Sequence, residues 1–87
     1  MVYRIELSNE ADKALGWILK REPILGRRIT KALEDLARDP LQGKALKGRL
    51  KGRYSYRIGD YRIIYMIFRN RLLLIVIDMG HRRDIYR

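Results

Sequence analysis

Hydrophobic and polar positions change their period along this 87-residue chain, and the changes divide it into elements. From Val2 to Leu7 they alternate, with Val2, Arg4 and Glu6 set against Tyr3, Ile5 and Leu7, which predicts a short β-strand. Ser8 or Asn9 then caps a helix whose first turn carries Glu10 and Asp12, acids suited to the positive end of the helix dipole. Ala11, Ala14, Leu15, Ile18 and Leu19 fall on one helical stripe. Pro23 interrupts that stripe and opens a second helix. There Leu25, Ile29, Ala32, Leu33 and Leu36 repeat the spacing until Asp39-Pro40 stops it. A tight turn between the two predicts an antiparallel helical pair. Residues 40–52 contain three glycines and no period, a basic loop with a brief extended piece around Leu46. Three strands follow, at roughly 53–58, 61–68 and 72–79, with Gly59-Asp60 as a two-residue hairpin loop and Arg69-Asn70-Arg71 as the second turn. The last strand is apolar on both faces and belongs in the middle of a covered sheet. The fold class is α+β in the order β-α-α-β-β-β. A mostly antiparallel sheet carries a two-helix hairpin on one face, and residues 1–87 form a single domain.

Composition narrows the chemistry. A chain this short buries only about 60–65% of its unfolded surface, so all its apolar elements share one core. Zero cysteines exclude a disulfide framework, a thiolate metal site and a cysteine nucleophile. One histidine and scattered acids argue against a dedicated metal site, and no cofactor is implied. The N-terminus lacks the apolar region of a signal peptide, and the longest apolar run, Leu72 to Ile77, is far shorter than the roughly 20 residues of a membrane span. A cytoplasmic protein with no membrane partner is expected.

Charge changes the picture more. Residues 1–43 carry 8 Lys/Arg against 7 Asp/Glu, whereas residues 44–87 carry 12 against 3. Nearly all of the net charge of +10 therefore sits on the half that reads as sheet. Clustered cations of this kind replace the counterions condensed on phosphates, so the expected partner is a polyanion. The hairpin register sharpens this. A two-residue loop at Gly59-Asp60 sets Ile58 opposite Tyr61 and Arg57 directly opposite Arg62. Like charges opposed across a strand pair destabilise by roughly 0.2–1 kcal/mol, a pairing that makes sense where an anion sits. The other face pairs Tyr56 with Ile63 and Tyr54 with Tyr65, a packing surface.

The next strand runs back so that Asp78-Met79-Gly80 returns beside Arg62. A turn at Gly80 then lets His81, Arg82, Arg83 and Tyr86 leave the sheet there. Arg57, Arg62 and Arg82, joined by His81 and Tyr86, are expected to converge on one patch, with Lys44, Lys47, Arg49, Lys51 and Arg53 entering from the loop. Guanidiniums so placed stabilise the extra charge of a pentacoordinate phosphorus. His81 can move a proton, and Tyr86 can stack on a base or orient a 2′-hydroxyl. Each residue also has a plainer reading. Arg57 and Arg62 can be surface arginines paired with Asp60 or Asp78, and His81 a turn residue. Tyr86 can pack on the sheet, and Tyr54, Tyr56, Tyr61 and Tyr65 read best as core.

The run Tyr56-Arg57-Ile58-Gly59-Asp60-Tyr61-Arg62-Ile63-Ile64-Tyr65, with Leu46-Lys47-Gly48 before it and Gly80-His81-Arg82-Arg83-Asp84-Ile85-Tyr86 after it, resembles the RelE/ParE superfamily of toxin–antitoxin toxins. The closing His-Arg-Arg-Asp-Ile-Tyr is more similar to the RelE branch. That resemblance implies a ribosome-dependent, metal-independent endoribonuclease. It cuts messenger RNA in the ribosomal A site by attack of a 2′-hydroxyl, leaves a 2′,3′-cyclic phosphate, and is neutralised by an acidic RelB-like antitoxin. It also implies roles. Arg57 is a base or charge stabiliser, Arg62 a phosphate ligand, Arg82 a proton donor or stabiliser, and Tyr86 a stacking platform, while Lys44, Lys47, Arg49, Lys51, Arg53 and Arg83 contact RNA and ribosome. The resemblance leaves a ParE-like inhibitor of DNA gyrase, or a fold that has lost toxicity, as alternatives. Ser55 and Arg57 stand where the best-known members of the branch have lysines. Because arginine is a poor base, proton abstraction then falls to His81 or to a loop lysine such as Lys51.

Overall fold

The computed structural model describes residues 2–81. Strand β1 (Arg4–Leu7) leads into α1 (Asn9–Arg21) and α2 (Pro23–Arg38), followed by β2 (Lys44–Ala45), β3 (Tyr54–Ile58), β4 (Tyr61–Phe68) and β5 (Leu73–His81). The sheet order is β1-β5-β4-β3-β2, with β1 parallel to β5 and every other neighbour antiparallel. The α+β class holds. The extended piece expected around Leu46 is a two-residue strand at Lys44–Ala45, followed by the Leu46 N–H donating to the Arg53 carbonyl at 2.9 Å, and it adds one strand to the predicted order.

Local chemistry sets the helix boundaries as expected. Ser8 caps α1 by accepting from the Ala11 N–H at 3.1 Å, and Glu10 and Asp12 at its start are balanced by Lys20 and Arg21 at its end. Pro23 occupies the first turn of α2, where its missing N–H costs nothing. One core joins the layers. Ala11 and Ile18 of α1 and Ile29, Ala32, Leu33 and Leu36 of α2 meet Ile58, Ile63, Tyr65, Leu74, Val76 and Met79 of the sheet. Leu19, placed by periodicity on the inward stripe, is 45% exposed, because the inward face of α1 is narrower than its apolar residues suggest.

The last strand differs from its sequence reading in a way that governs the site. Ile64 pairs with Asp78 but Tyr65 pairs with Val76, so Ile77 is an extra residue in β5. This β-bulge reverses the alternation of everything after it. Leu74 and Val76 face the helices. Without the bulge Asp78 would join them opposite Ile63, a carboxylate directed into the core. With it, Met79 takes that place and Asp78 and Gly80 turn to the helix-free face. Ser8 secures the arrangement, since its hydroxyl donates to the Ile77 carbonyl. Gly80 is not a turn: β5 continues through Gly80 to His81.

Candidate functional site

The hairpin between β3 and β4 has the register predicted for it, with Ile58 opposite Tyr61 and Arg57 opposite Arg62. Gly59, at φ 59°, takes the left-handed conformation that a tight loop asks of its first residue. Arg62 in turn faces Gly80 across β5. One row of the helix-free face thus reads Arg57, Arg62, Gly80, and the next reads Lys44, Ser55, Ile64, Asp78. Two arginines leave neighbouring strands at opposed positions beside a residue with no side chain, and Lys44 is one row away.

The two arginines are held differently. Arg57 is exposed at the border of the sheet and donates from Nε to the Gly59 carbonyl at 3.0 Å, which draws its guanidinium toward the hairpin loop. Arg62 is half-buried, with its Nε shielded from solvent. Neither Asp60 nor Asp78 forms an ion pair with Arg57 among the described residues. Asp78 accepts from its own neighbour, the Met79 N–H, at 2.8 Å.

Lys44 owes its place to a tyrosine. Tyr65 is fully buried, stacks on Tyr54 with ring centroids 5.6 Å apart, donates to the Pro40 carbonyl at 2.5 Å and accepts from the Gly43 N–H at 3.0 Å. A side chain at residue 43 would collide with that phenol, since a Cβ there would lie 2.2 Å from its oxygen. The loop is therefore tied down immediately before Lys44. Burial pushes the Tyr65 phenol up to about 12, against the opposing pull of the Gly43 N–H.

Of the predicted cluster, the structure brings Arg57, Arg62 and Lys44 to one face, and it does not bring His81 there. His81 lies opposite Tyr61, on the helix side, with the two rings edge to face at 5.9 Å. It opens with Tyr61, Glu22, Arg28 and Ile24 onto a cleft of about 580 Å³, and Tyr61 donates to Glu22 at 3.2 Å. The physical reason is the bulge at Ile77, which fixes the parity of every later residue in β5. Lys47, Lys51 and Arg53 line a separate cavity of about 430 Å³ beside the turn at Gly48–Leu50, and Arg49 is exposed on that turn. Arg82, Arg83 and Tyr86 lie outside the described residues. Asp78, expected beside the arginines, and Ser55 both lie one row from the pair on the same face. Register alone finds Ser55, but nothing in the apolar run before Asp78 marks the bulge. Among the described residues no three His, Asp or Glu side chains gather as metal ligands, and no helix is long and apolar enough to cross a membrane.

A paired guanidinium row suits an anion with several oxygens, because planar forks donate two hydrogen bonds at a time. The family described as ParE toxin of type II toxin-antitoxin system, parDE, matches residues 5–86. Toxin RelG of Mycobacterium tuberculosis is 35% identical over 88 residues, covering 100% of this chain and 99% of that protein. A chain of the RelBE2 toxin-antitoxin complex from Mycobacterium tuberculosis superimposes with TM-score 0.82 at 30% identity, over 94% of this chain and 100% of that one. The YoeB/ParE toxin from Agrobacterium tumefaciens shares the fold at TM-score 0.82 and 18% identity, over 90% and 96% of the two chains.

Proposed function

Because the chain belongs to the ParE toxin family of type II toxin–antitoxin systems, we propose that it cleaves messenger RNA on the ribosome and is silenced by a cognate antitoxin. The observation that carries this reading is the Arg57–Arg62 pair on the helix-free face. The likeness to Toxin RelG over the whole chain supports it. In the proposed reaction the 2′-oxygen bonds to the adjacent phosphorus, the bond from phosphorus to the 5′-oxygen breaks, and a 2′,3′-cyclic phosphate and a 5′-hydroxyl result. Arg62 and Arg57 hold the non-bridging oxygens and stabilise the charge that builds on them in the pentacoordinate state. Arg82 and Tyr86 retain the roles that the family resemblance implies, proton donation or charge stabilisation at the leaving oxygen and stacking on the message.

The proton leaving the 2′-hydroxyl needs an acceptor. His81 opens on the opposite side of the sheet from the arginines, so we assign the base role to a loop lysine, with Lys44, one row from the pair, the first to test. A pH–rate profile of His81→Ala is expected to keep the wild-type shape. A limb near pH 6–7 that disappears in the variant would return the histidine to the mechanism.

Primer extension on translated message tests the reading as a whole. Wild-type protein should cut at the A-site codon, and Arg62→Ala and Arg82→Ala should lose at least about 100-fold in rate, as when one preorganised donor to a developing charge is removed. Uncut message with wild-type protein would defeat it. A second reading, inhibition of DNA gyrase without RNA cleavage, is favoured by the family description, which names ParE. A supercoiling assay separates the two.

A further inference from the structure

A second concentration of positive charge lies around the border of the sheet from the arginine pair. Arg28 and Lys31, one turn apart on α2, line a cleft of about 250 Å³ whose opposite wall is β3 and the hairpin loop, including Arg57 and Gly59. Three cations thus surround a space large enough for a phosphate group and some of its water. The cleft's one acid, Asp35, already faces Arg38 at 3.8 Å, and among the described residues no ion pair engages Arg28, Lys31 or Arg57. The border itself is open there, because β2 covers only Tyr54 and Ser55 of β3. Arg57 stands on that border, with its backbone opposite Arg62 and its side chain drawn toward Gly59.

We propose that Arg28, Lys31 and Arg57 form a second phosphate-binding cleft, which grips an RNA phosphodiester other than the one being cut. The inference rests on the nuclease reading and extends it. A strand lying on the helix-free face passes round the uncovered end of β3, and Arg57 links the two sites. The phosphodiester can come from the message or from ribosomal RNA, and the chemistry of its recognition is the same in both.

The test compares Arg28→Ala/Lys31→Ala with Lys13→Ala/Lys20→Ala, a pair on α1 that removes the same charge away from the cleft. All four side chains are exposed, and Arg28→Gln/Lys31→Gln guards against loss of helix as the cause. The probes are an uncleavable 2′-O-methyl RNA oligonucleotide and vacant ribosomes, each titrated over a range of salt. The cleft variants should bind at least one probe about tenfold more weakly than the α1 pair. For the oligonucleotide, the slope of log affinity against log salt should fall by about 0.7, the share of one phosphate. Loss confined to the oligonucleotide identifies the message as the source, and loss confined to ribosomes identifies ribosomal RNA. Equal binding by the two double variants overturns the cleft, as does a loss confined to antitoxin binding, which would mark a site for acidic peptide. Wild-type protein that binds neither probe overturns the nuclease reading instead.

Discussion

Ser8 and Tyr65 each satisfy two backbone groups that the fold would otherwise leave stranded. Ser8 accepts from the first turn of α1 and donates to the carbonyl of the bulged Ile77, so one hydroxyl serves as helix cap and bulge clamp. Ser8→Ala should cost about 1–2 kcal/mol in urea unfolding, more than an exposed cap loses in isolation. A loss below about 0.5 kcal/mol would mean that water replaces the hydroxyl at both ends. Tyr65 performs the same double service for Pro40 and Gly43, deeper in the core. Its phenol ionises near 10 in the unfolded chain and near 12 in the folded one. Between those values the unfolded state gives up a proton that the folded state keeps, so stability is full below pH 10 and declines as pH rises through 12. Denaturation midpoints measured from pH 9 upward should fall for the wild type. Tyr65→Phe should be less stable throughout, with less of that decline.

At the scale of elements, the β3–β4 hairpin sets two cations opposite each other, a pairing that costs stability. Replacing Arg57 by Thr, a β-branched residue at an exposed strand position, should stabilise the protein by roughly 0.2–1 kcal/mol while slowing RNA cleavage. A variant that is both less stable and fully active would remove the reason for reading the pair as a functional device. This hairpin was legible in the sequence to the residue, because a two-residue glycine loop and strict alternation from Tyr54 to Tyr65 leave one register that buries the tyrosines. Strand β5 was legible only as far as its apolar run. Leu72 to Ile77 has no polar position to mark a face, so nothing told the reader that Ile77 is unpaired or that parity reverses after it. That one unreadable residue accounts for the misplacement of His81. The strand at Lys44–Ala45 was obscured for another reason. Two residues cannot show a period, and what places them is the long-range bond from Gly43 to Tyr65.

Across the whole molecule, charge and stability pull in opposite directions. The protein carries a net +10, and the ion pairs Arg4–Glu6 and Arg38–Asp35 are both exposed and both lie in the evenly charged N-terminal half. Exposed pairs of that kind contribute about 0–1 kcal/mol each, so screening them removes little. Repulsion among Lys44, Arg57, Arg62 and the cations of the second cleft acts in the other direction and is itself screened once the Debye length falls to ~10 Å at 0.1 M salt. The free protein should therefore melt at a higher temperature as sodium chloride is raised from low to moderate concentration. A polyanion that seats on the cationic surface should raise the midpoint further, by an amount set by its excess over the dissociation constant, about 2.7 kcal/mol at a hundredfold excess. An antitoxin that binds only the folded chain would stabilise it by the same linkage. Melting curves recorded over a salt series decide the matter. A midpoint that stays flat or falls with salt would mean that the cations are already neutralised within the fold, and the basic face would lose its standing as a surface waiting for phosphate.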